Sequence, residues 1–219
     1  MKGPRLISLC FAGLFLAMGS GCQTVYNSTM ENVFGYEKRE LLKKSVTALR
    51  QDQQQAQAEF KDAMTRLKEL YAFQGGGLEK SYNQVRSAYD RCEAEAKDVH
   101  QRVENMEGIA HAMFAEWGKE IKQYTNPALA ENSRRQLQET KERYAQLSTS
   151  VRASEASMKS VLAQLKDQVL VLKHNLNAAA IGSLKGEAAG IQSQFEALIA
   201  SINSSIAEAD TFIESLAKK

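Results

Sequence analysis

Proline and cysteine are scarce in this chain of 219 residues, which holds two prolines and three cysteines. Proline interrupts helices. A chain with so little proline can therefore form long helices, which argues against a loop-rich fold. Three cysteines exclude a dense disulfide framework. Alternation of apolar and polar residues, the mark of a half-buried strand, is also missing at useful length. The abundant Ala, Glu, Lys, Gln and Leu therefore predict long helices.

The chain also lacks an excess of charge of either sign. It has 28 basic and 26 acidic residues. Two of the basic residues, Lys2 and Arg5, stand at the N-terminus, and without them the two counts are equal. A nucleic-acid-binding protein needs a basic surplus to neutralise phosphates. We therefore expect no nucleic-acid partner.

The first 22 residues have the pattern of an export signal. A short basic region precedes a 13-residue, largely apolar run, Leu6–Met18, which is shorter than the roughly 20 residues of a membrane-spanning helix. Small residues at 19–21 lead to Cys22. This order resembles a bacterial lipoprotein signal, in which a peptidase cuts before the cysteine and acyl chains are attached to it. We expect residues 1–21 to be a lipoprotein signal peptide and Cys22 to be the lipidation site.

Two neighbouring residues bear on this prediction. The usual lipoprotein motif has leucine three residues before the cysteine, where this chain has Gly19. Ordinary cleavage at the small residues would instead leave Cys22 as a free thiol, a reactive group in an exported protein. Gln23 follows the cysteine, in place of the aspartate that implies retention in the inner membrane. We therefore predict a lipid anchor in the cell envelope, on the periplasmic face of the outer membrane.

Apolar residues form a regular repeat in the first half of the chain. Between Leu42 and Leu70 they recur at alternating intervals of four and three residues, and the same rhythm resumes after Gly75–Gly77. Such a repeat is typical of a coiled-coil seam. Folding the chain back at Gly76 aligns the two seams over four heptads. We therefore predict a first helical hairpin over residues 37–124.

Two residues of these seams have predicted roles. Cys92 falls opposite Phe60, and we expect it to be a small buried apolar residue. A disulfide between Cys92 and Cys22 is the alternative if Cys22 is not acylated. Gln53 is the one polar residue of the first seam, and a polar residue at such a position sets the register at some cost in stability.

A second repeat occupies the other half of the chain. Its two seams are Tyr144, Leu147, Val151, Met158, Leu162, Leu165, Val169, Leu172 and Leu176, followed by Leu184, Ala188, Ile191, Phe195, Leu198, Ile202, Ala209, Ile213 and Leu216. Folding at about Ala180 aligns them, with Tyr144 opposite Leu216. Asn177 can leave the helix, Gly182 frees the backbone, and Ser183 can cap the fourth helix. We predict a second helical hairpin over residues 127–219.

Asn126 and Pro127 separate the hairpins. Asn126 is a candidate N-cap, and Pro127 falls in the first turn, where its missing N–H group costs nothing. Residues 22–36 would form a membrane-proximal segment. Together these patterns predict an all-α fold, an elongated antiparallel coiled-coil bundle of four long helices arranged as two helical hairpins.

Residues that carry chemistry are present without a pattern that unites them. The histidines His100, His111 and His174 lack the spacing with glutamate that a di-iron bundle repeats on two helices. Residues 75–81 have a glycine run before a lysine, but Glu79 stands where a phosphate-binding loop needs glycine. We therefore expect no catalytic residues, no metal site and no cofactor.

Two stretches of the chain have a character beyond their periodicity. They are Phe114–Trp117 with Gln123–Asn126 and Ser133–Leu137, and Asp167–Leu170 with Leu172–Ala178 and Ser183–Leu184. With the cysteine signal, they resemble a bacterial family of helical lipoproteins, DUF2959, a domain of unknown function. The resemblance implies an exported, mainly α-helical envelope protein of Gram-negative bacteria. It carries over no activity, cofactor or catalytic residue.

Two functions fit these patterns. The first is a lipid-anchored scaffold or interaction protein without catalytic activity, bound to membrane lipid through Cys22 and to a protein partner or a second copy through spare helical faces. Those faces are the isoleucine column Ile199, Ile206 and Ile213, and the run Val169–Leu172. The second is a periplasmic binding module or chaperone that holds an apolar ligand or unfolded chains, with the segment from Trp117 to Tyr124 lining a groove.

Overall fold

The computed structural model describes residues 35–72 and 77–217. These residues form four long helices, which are α1 (Gly35–Tyr71), α2 (Leu78–Glu120), α3 (Pro127–His174) and α4 (Ala178–Ala217). A short 3-10 helix, Ile121–Gln123, follows α2. The predicted signal peptide and Cys22 lie outside the described residues, as does most of the predicted membrane-proximal segment.

The four helices pack as a closed ring. Each contacts its neighbour in the chain, and α1 also packs against α4. The structure places these helices in one compact unit, residues 35–219. The predicted all-α bundle of four long helices is confirmed, and the ring shows that the two hairpins lie side by side.

The first hairpin has close to the register that its seams predict. Folding at Gly76 places Arg102 near residue 50 and Arg91 near residue 61. In the structure, Arg102 Nε donates to Asp52 Oδ2 at 2.8 Å, and Arg91 Nε donates to Glu59 Oε2 at 2.7 Å. Both contacts lie within two residues of the prediction. The strict alternation of apolar residues was therefore sufficient to align α1 with α2.

The turn of the second hairpin differs from the prediction. α3 ends at His174 and α4 begins at Ala178, so Gly182 and Ser183 lie inside α4 and not in the turn. The cap of α4 is Asn177, whose Oδ1 accepts a hydrogen bond from Ala180 N at 2.9 Å. An asparagine at this position supplies the acceptor that the first free N–H groups of a helix need. That role makes a later cap at Ser183 unnecessary.

The buried stripe of α4 also departs from its predicted seam. The sequence assigned Ile213 to the seam, whereas the structure buries Phe212 almost completely and leaves Ile213 half-buried. The ring of Phe212 lies 5.9 Å from the ring of Tyr144, one helical turn before the predicted partner Leu216. A helix in a closed bundle buries a wider stripe than a helix in a two-stranded seam, because it packs against two neighbours.

The connection between the hairpins follows the prediction. Asn126 caps α3, and its Oδ1 accepts from Ala128 N at 2.9 Å and from Leu129 N at 3.3 Å. Pro127 is the first residue of the helix, where the ring is preorganised and no hydrogen bond is lost.

Apolar residues of all four helices merge into one continuous core. The isoleucine column of α4 (Ile199, Ile206, Ile213) packs against it and is half-buried. No helix within residues 35–72 or 77–217 combines the length and the apolar character needed to cross a membrane.

Candidate functional site

The largest convergence of charged groups that we find lies between α2 and α3. Arg152 of α3 donates from Nη2 to Glu104 at 2.7 Å and from Nε to Glu107 at 2.9 Å, both on α2. On its own helix it donates from Nη1 to Glu155 at 2.9 Å. Glu155 also contacts His100 Nδ1 on α2. We call these five residues the Arg152 cluster.

The charges of this cluster favour one another's ionised forms. The hydrogen bonds that Arg152 donates to Glu107 and Glu104 raise the pKa of Arg152, and the bond from Arg152 lowers the pKa of Glu104. A carboxyl whose folded pKa is below its unfolded value stabilises the fold at neutral pH. That contribution disappears as the pH falls through the lowered folded pKa of Glu104. The cluster therefore joins α2 to α3 at neutral pH and weakens in acid.

An open groove of about 460 Å³ runs beside the cluster. His100, Arg152 and Glu155 form one part of its wall, and Ala96 and Leu162 supply apolar surface. The residues lining the groove include no serine, threonine or cysteine that could act as a nucleophile. The imidazole of His100 beside the carboxylate of Glu155 can bind and orient charge. The geometry of this groove accounts for the pairing of α2 with α3.

The contribution of the cluster to stability can be measured through Arg152→Met. This variant keeps much of the side chain's apolar length and removes the bonds to three carboxylates. We expect a loss of about 1 kcal/mol in the free energy of unfolding in urea, because the side chain is partly exposed. The loss should shrink at high salt, where exposed charges are screened.

The matched control is Arg134→Met. Arg134 pairs only with Glu131, on its own helix, among the described contacts, and this variant should change stability by less than about 0.5 kcal/mol. Equal losses for the two variants, or a loss for Arg152→Met that salt does not change, would contradict the assigned role.

A second group of polar residues lies in the middle of the core. Gln53 Nε2 donates to Ser205 Oγ at 2.7 Å, and both residues are fully buried. Ser154 of α3 is fully buried as well. Ser154 lies at the same level of the bundle as Gln53, because their neighbours Glu155 and Asp52 contact nearby residues of α2. These residues are His100 and Arg102, two positions apart. Three of the four helices thus contribute a polar residue to one layer.

This layer assigns a partner to Gln53. The sequence predicted that Gln53 sets register, and the structure directs its side chain to α4, across the contact between the two hairpins. A buried amide that reaches its partner in a single alignment favours that alignment over others. The apolar repeat did not identify Ser154 and Ser205 as core residues, because both are polar. The signal that points to them is a gap of seven residues in each seam, from Val151 to Met158 and from Ile202 to Ala209.

Cys92 lies where the seam predicted it. It is a free thiol with no exposed surface, and burial raises its pKa to about 12. A thiol that stays protonated at neutral pH is a poor nucleophile. Cys92 is therefore a packing residue in this structure, and its alternative pairing with Cys22 falls outside the described residues.

The glycine-rich turn between α1 and α2 is described from Gly77 onward. Gly77 has a φ of 80°, a left-handed conformation that favours glycine. A groove of about 660 Å³ beside it is lined by Lys80, Arg66 and Arg91. Two of these three cations already bind Asp62, Arg91 at 2.6 Å and Arg66 at 3.2 Å. The groove is thus an ion-paired surface of the hairpin.

Trp117 and Tyr124, which the second hypothesis places along one groove, differ in their burial. Trp117 Nε1 donates to Ser133 Oγ at 2.9 Å, and the guanidinium of Arg39 lies 5.2 Å from its ring centre. Tyr124, in contrast, has 48% of its surface exposed. The tryptophan joins three helices at the end of the bundle, while the tyrosine contributes little to packing.

Neither His111 nor His174 joins the Arg152 cluster, and both are exposed. Within the described ranges, no three residues among His, Cys, Asp and Glu come together in a way that could hold a metal ion.

Comparison with known protein families gives a match over most of the chain. The family model for a protein of unknown function, DUF2959, matches residues 26–216. Comparison with curated proteins finds no match. The family match covers all four helices apart from the last residue of α4. This chain therefore belongs to the DUF2959 family.

Proposed function

We propose that this protein is a lipid-anchored helical scaffold of the Gram-negative cell envelope, which holds a protein partner at the periplasmic face of the outer membrane. Acyl chains on Cys22 would bind it to membrane lipid. No catalytic step is part of the proposal. The observation that carries it is a group of three exposed apolar side chains at and just beyond the end of α3, Leu170, Val171 and Leu176, which we call the α3-end patch.

The α3-end patch lies at the opposite end of the bundle from the N-terminus of α1. Between 38% and 44% of each of its three side chains is exposed. Their neighbours Val169 and Leu172 are buried in the core, so the exposed residues extend the apolar surface outward from a well-packed layer. Exposed apolar side chains that lie together favour contact with another protein.

The supporting geometry is the antiparallel ring of helices. α3 has 48 residues and spans about 70 Å at 1.5 Å per residue. A patch at its C-terminal end is therefore far from the residue at which the tether enters. This separation suits a protein that is fixed to lipid at one end and presents a binding surface at the other.

Photo-crosslinking in living cells tests the proposal. A photoreactive amino acid at position 170 should give a covalent adduct with one protein, whose mass identifies a partner or a second copy of this chain. The matched control is position 204 in α4, which is also exposed and lies away from the patch. No adduct at position 170, or the same adducts at both positions, would contradict the proposed scaffold.

A second function has some support from the groove beside the Arg152 cluster. Its volume of about 460 Å³ is within the range of small-molecule sites, and Ala96, Ala156 and Leu162 give it apolar surface. A periplasmic binding module or chaperone would use such a surface for an apolar ligand or an unfolded segment. Mass spectrometry of gently purified protein should then show a bound species, and a ligand-free mass would oppose this function.

A further inference from the structure

The N-terminus of α1 lies at the end of the bundle that carries the turn between α2 and α3. Lys38 forms an ion pair with Glu116, near the end of α2. The next residue of α1, Arg39, lies over the ring of Trp117, which follows Glu116 in α2. Because Gly35 is only one turn before Arg39, the chain that precedes α1 joins the bundle at this end.

The same end exposes two apolar side chains. Tyr124 is 48% exposed and Leu129 is 54% exposed, on either side of Asn126. Leu129 lies one helical turn before Ser133, which binds Trp117, and residues four apart share a helix face. Leu129 thus continues this face toward the end of the bundle.

The turn is also basic. The segment 117–135 contains four basic residues and two acidic ones. Lys119 precedes the 3-10 helix and Lys122 lies within it, and both are exposed. Tyrosine, leucine and lysine together are the residues that place a protein segment at the boundary between lipid headgroups and acyl chains.

We propose that the turn between α2 and α3 docks on the phospholipid leaflet that holds the acylated Cys22. Tyr124 and Leu129 enter the headgroup region, and Lys119 and Lys122 face anionic headgroups. This inference rests on the proposed function, because it needs the acyl anchor.

The length of the tether favours this end of the bundle. Thirteen chain steps separate Cys22 from Gly35, which is about 45 Å at full extension. α1 has 37 residues and spans about 55 Å. A bundle standing on its opposite end would need a tether at least as long as α1. The α3-end patch therefore cannot stand on the same leaflet, whereas the α2–α3 turn reaches it with a short tether.

Spin labels at two positions test the docking. Thr125→Cys labels the α2–α3 turn, and Ser183→Cys labels the opposite end. Both positions are exposed, while Cys92 is fully buried and Cys22 is acylated. The full acylated chain is placed in vesicles of phosphatidylethanolamine and phosphatidylglycerol. We expect the collision rate between the label at 125 and a water-soluble nickel complex to fall several-fold on the vesicles. The collision rate of the label at 183 should be unchanged.

A double substitution then tests the side chains. Tyr124→Ser with Leu129→Ser should return the label at 125 to its aqueous collision rate while the acyl chains keep the protein on the vesicles. The matched control, Leu170→Ser with Leu176→Ser, should leave the protection at 125 intact. Loss of protection in both variants would overturn the assignment to Tyr124 and Leu129.

Three further outcomes overturn the docking. The first is a label at 125 that is not protected. The second is equal protection at 125 and 183, which means that the bundle lies along the membrane surface. The third is protection in envelope fragments but not in pure vesicles, which means that the turn contacts a protein. Mass spectrometry of the same preparation tests the anchor separately. A chain without acyl groups on Cys22 contradicts the proposed function, whereas an acylated chain with an unprotected turn contradicts the docking alone.

Discussion

Phe212→Ala is expected to lower the free energy of unfolding by about 3–5 kcal/mol. The side chain is 1% exposed, and its ring meets Tyr144, which in turn lies 5.5 Å from the ring of Phe114. Alanine would leave a cavity beside this stack of three rings and remove its edge-to-face contact. Urea unfolding of a non-acylated Cys22→Ser chain, followed by circular dichroism, measures the loss.

Ile213→Ala is the matched control for this prediction. Ile213 was in the seam that the sequence predicted, but the structure leaves it half-buried. We expect Ile213→Ala to lower the free energy of unfolding by less than half as much as Phe212→Ala. The reason is that Ile213 buries less apolar surface on folding than Phe212 does. The reverse order of the two losses would show that α4 is rotated relative to the structure described here.

Cys22→Ser, in a chain whose signal peptide is still cut, is expected to move the protein from the membrane fraction to the soluble periplasmic fraction. Each buried methylene group of an acyl chain contributes about 0.8 kcal/mol, so two or more chains hold a protein almost permanently. Serine cannot carry a thioether-linked lipid. Fractionation of cells after a carbonate wash, with detection of the protein in each fraction, measures the change.

Two companions make this experiment decisive. An uncut signal would itself hold a chain in the membrane, so a second form carries the chain from Gln23 onward behind a cleavable signal peptide without a lipidation cysteine. Cys10→Ala, inside the apolar run of the signal, should leave attachment unchanged. If the form without Cys22 still sediments with membranes after washing, the anchor is not at this residue.

The first hairpin was predictable in detail because its information is local. An unbroken four-three repeat specifies which face of α1 and of α2 is apolar, and the glycine run specifies where the chain turns. These two facts leave one antiparallel alignment, which the contacts of Arg91 and Arg102 match. The second hairpin was predicted less well, since Gly182 competes with Asn177 as a turn signal and only the capping bond of Asn177 distinguishes them.

The Arg152 cluster was not predictable from the same pattern. Glu104 and Glu107 belong to one predicted hairpin and Arg152 to the other. Charges on the outer faces of two seams carry no register information, because many glutamates could meet a given arginine. Their pairing follows from how the hairpins dock, and that docking depends on the fit of buried side chains such as Phe212 and Gln53.

Sequence alone determined the helices, the alignment of α1 with α2 and the family resemblance, since periodicity, helix breakers and capping residues act over a few turns of the chain. Tertiary structure decided the closed ring, the burial of Phe212 in place of Ile213, the pairing of Gln53 with Ser205, and the end of the bundle at which Tyr124 and Leu129 are exposed. The physical reason is that a two-helix seam buries one narrow stripe, whereas a helix in a ring packs against two neighbours. Which residues widen that stripe depends on the opposing surface, and this surface is assembled only when both hairpins meet.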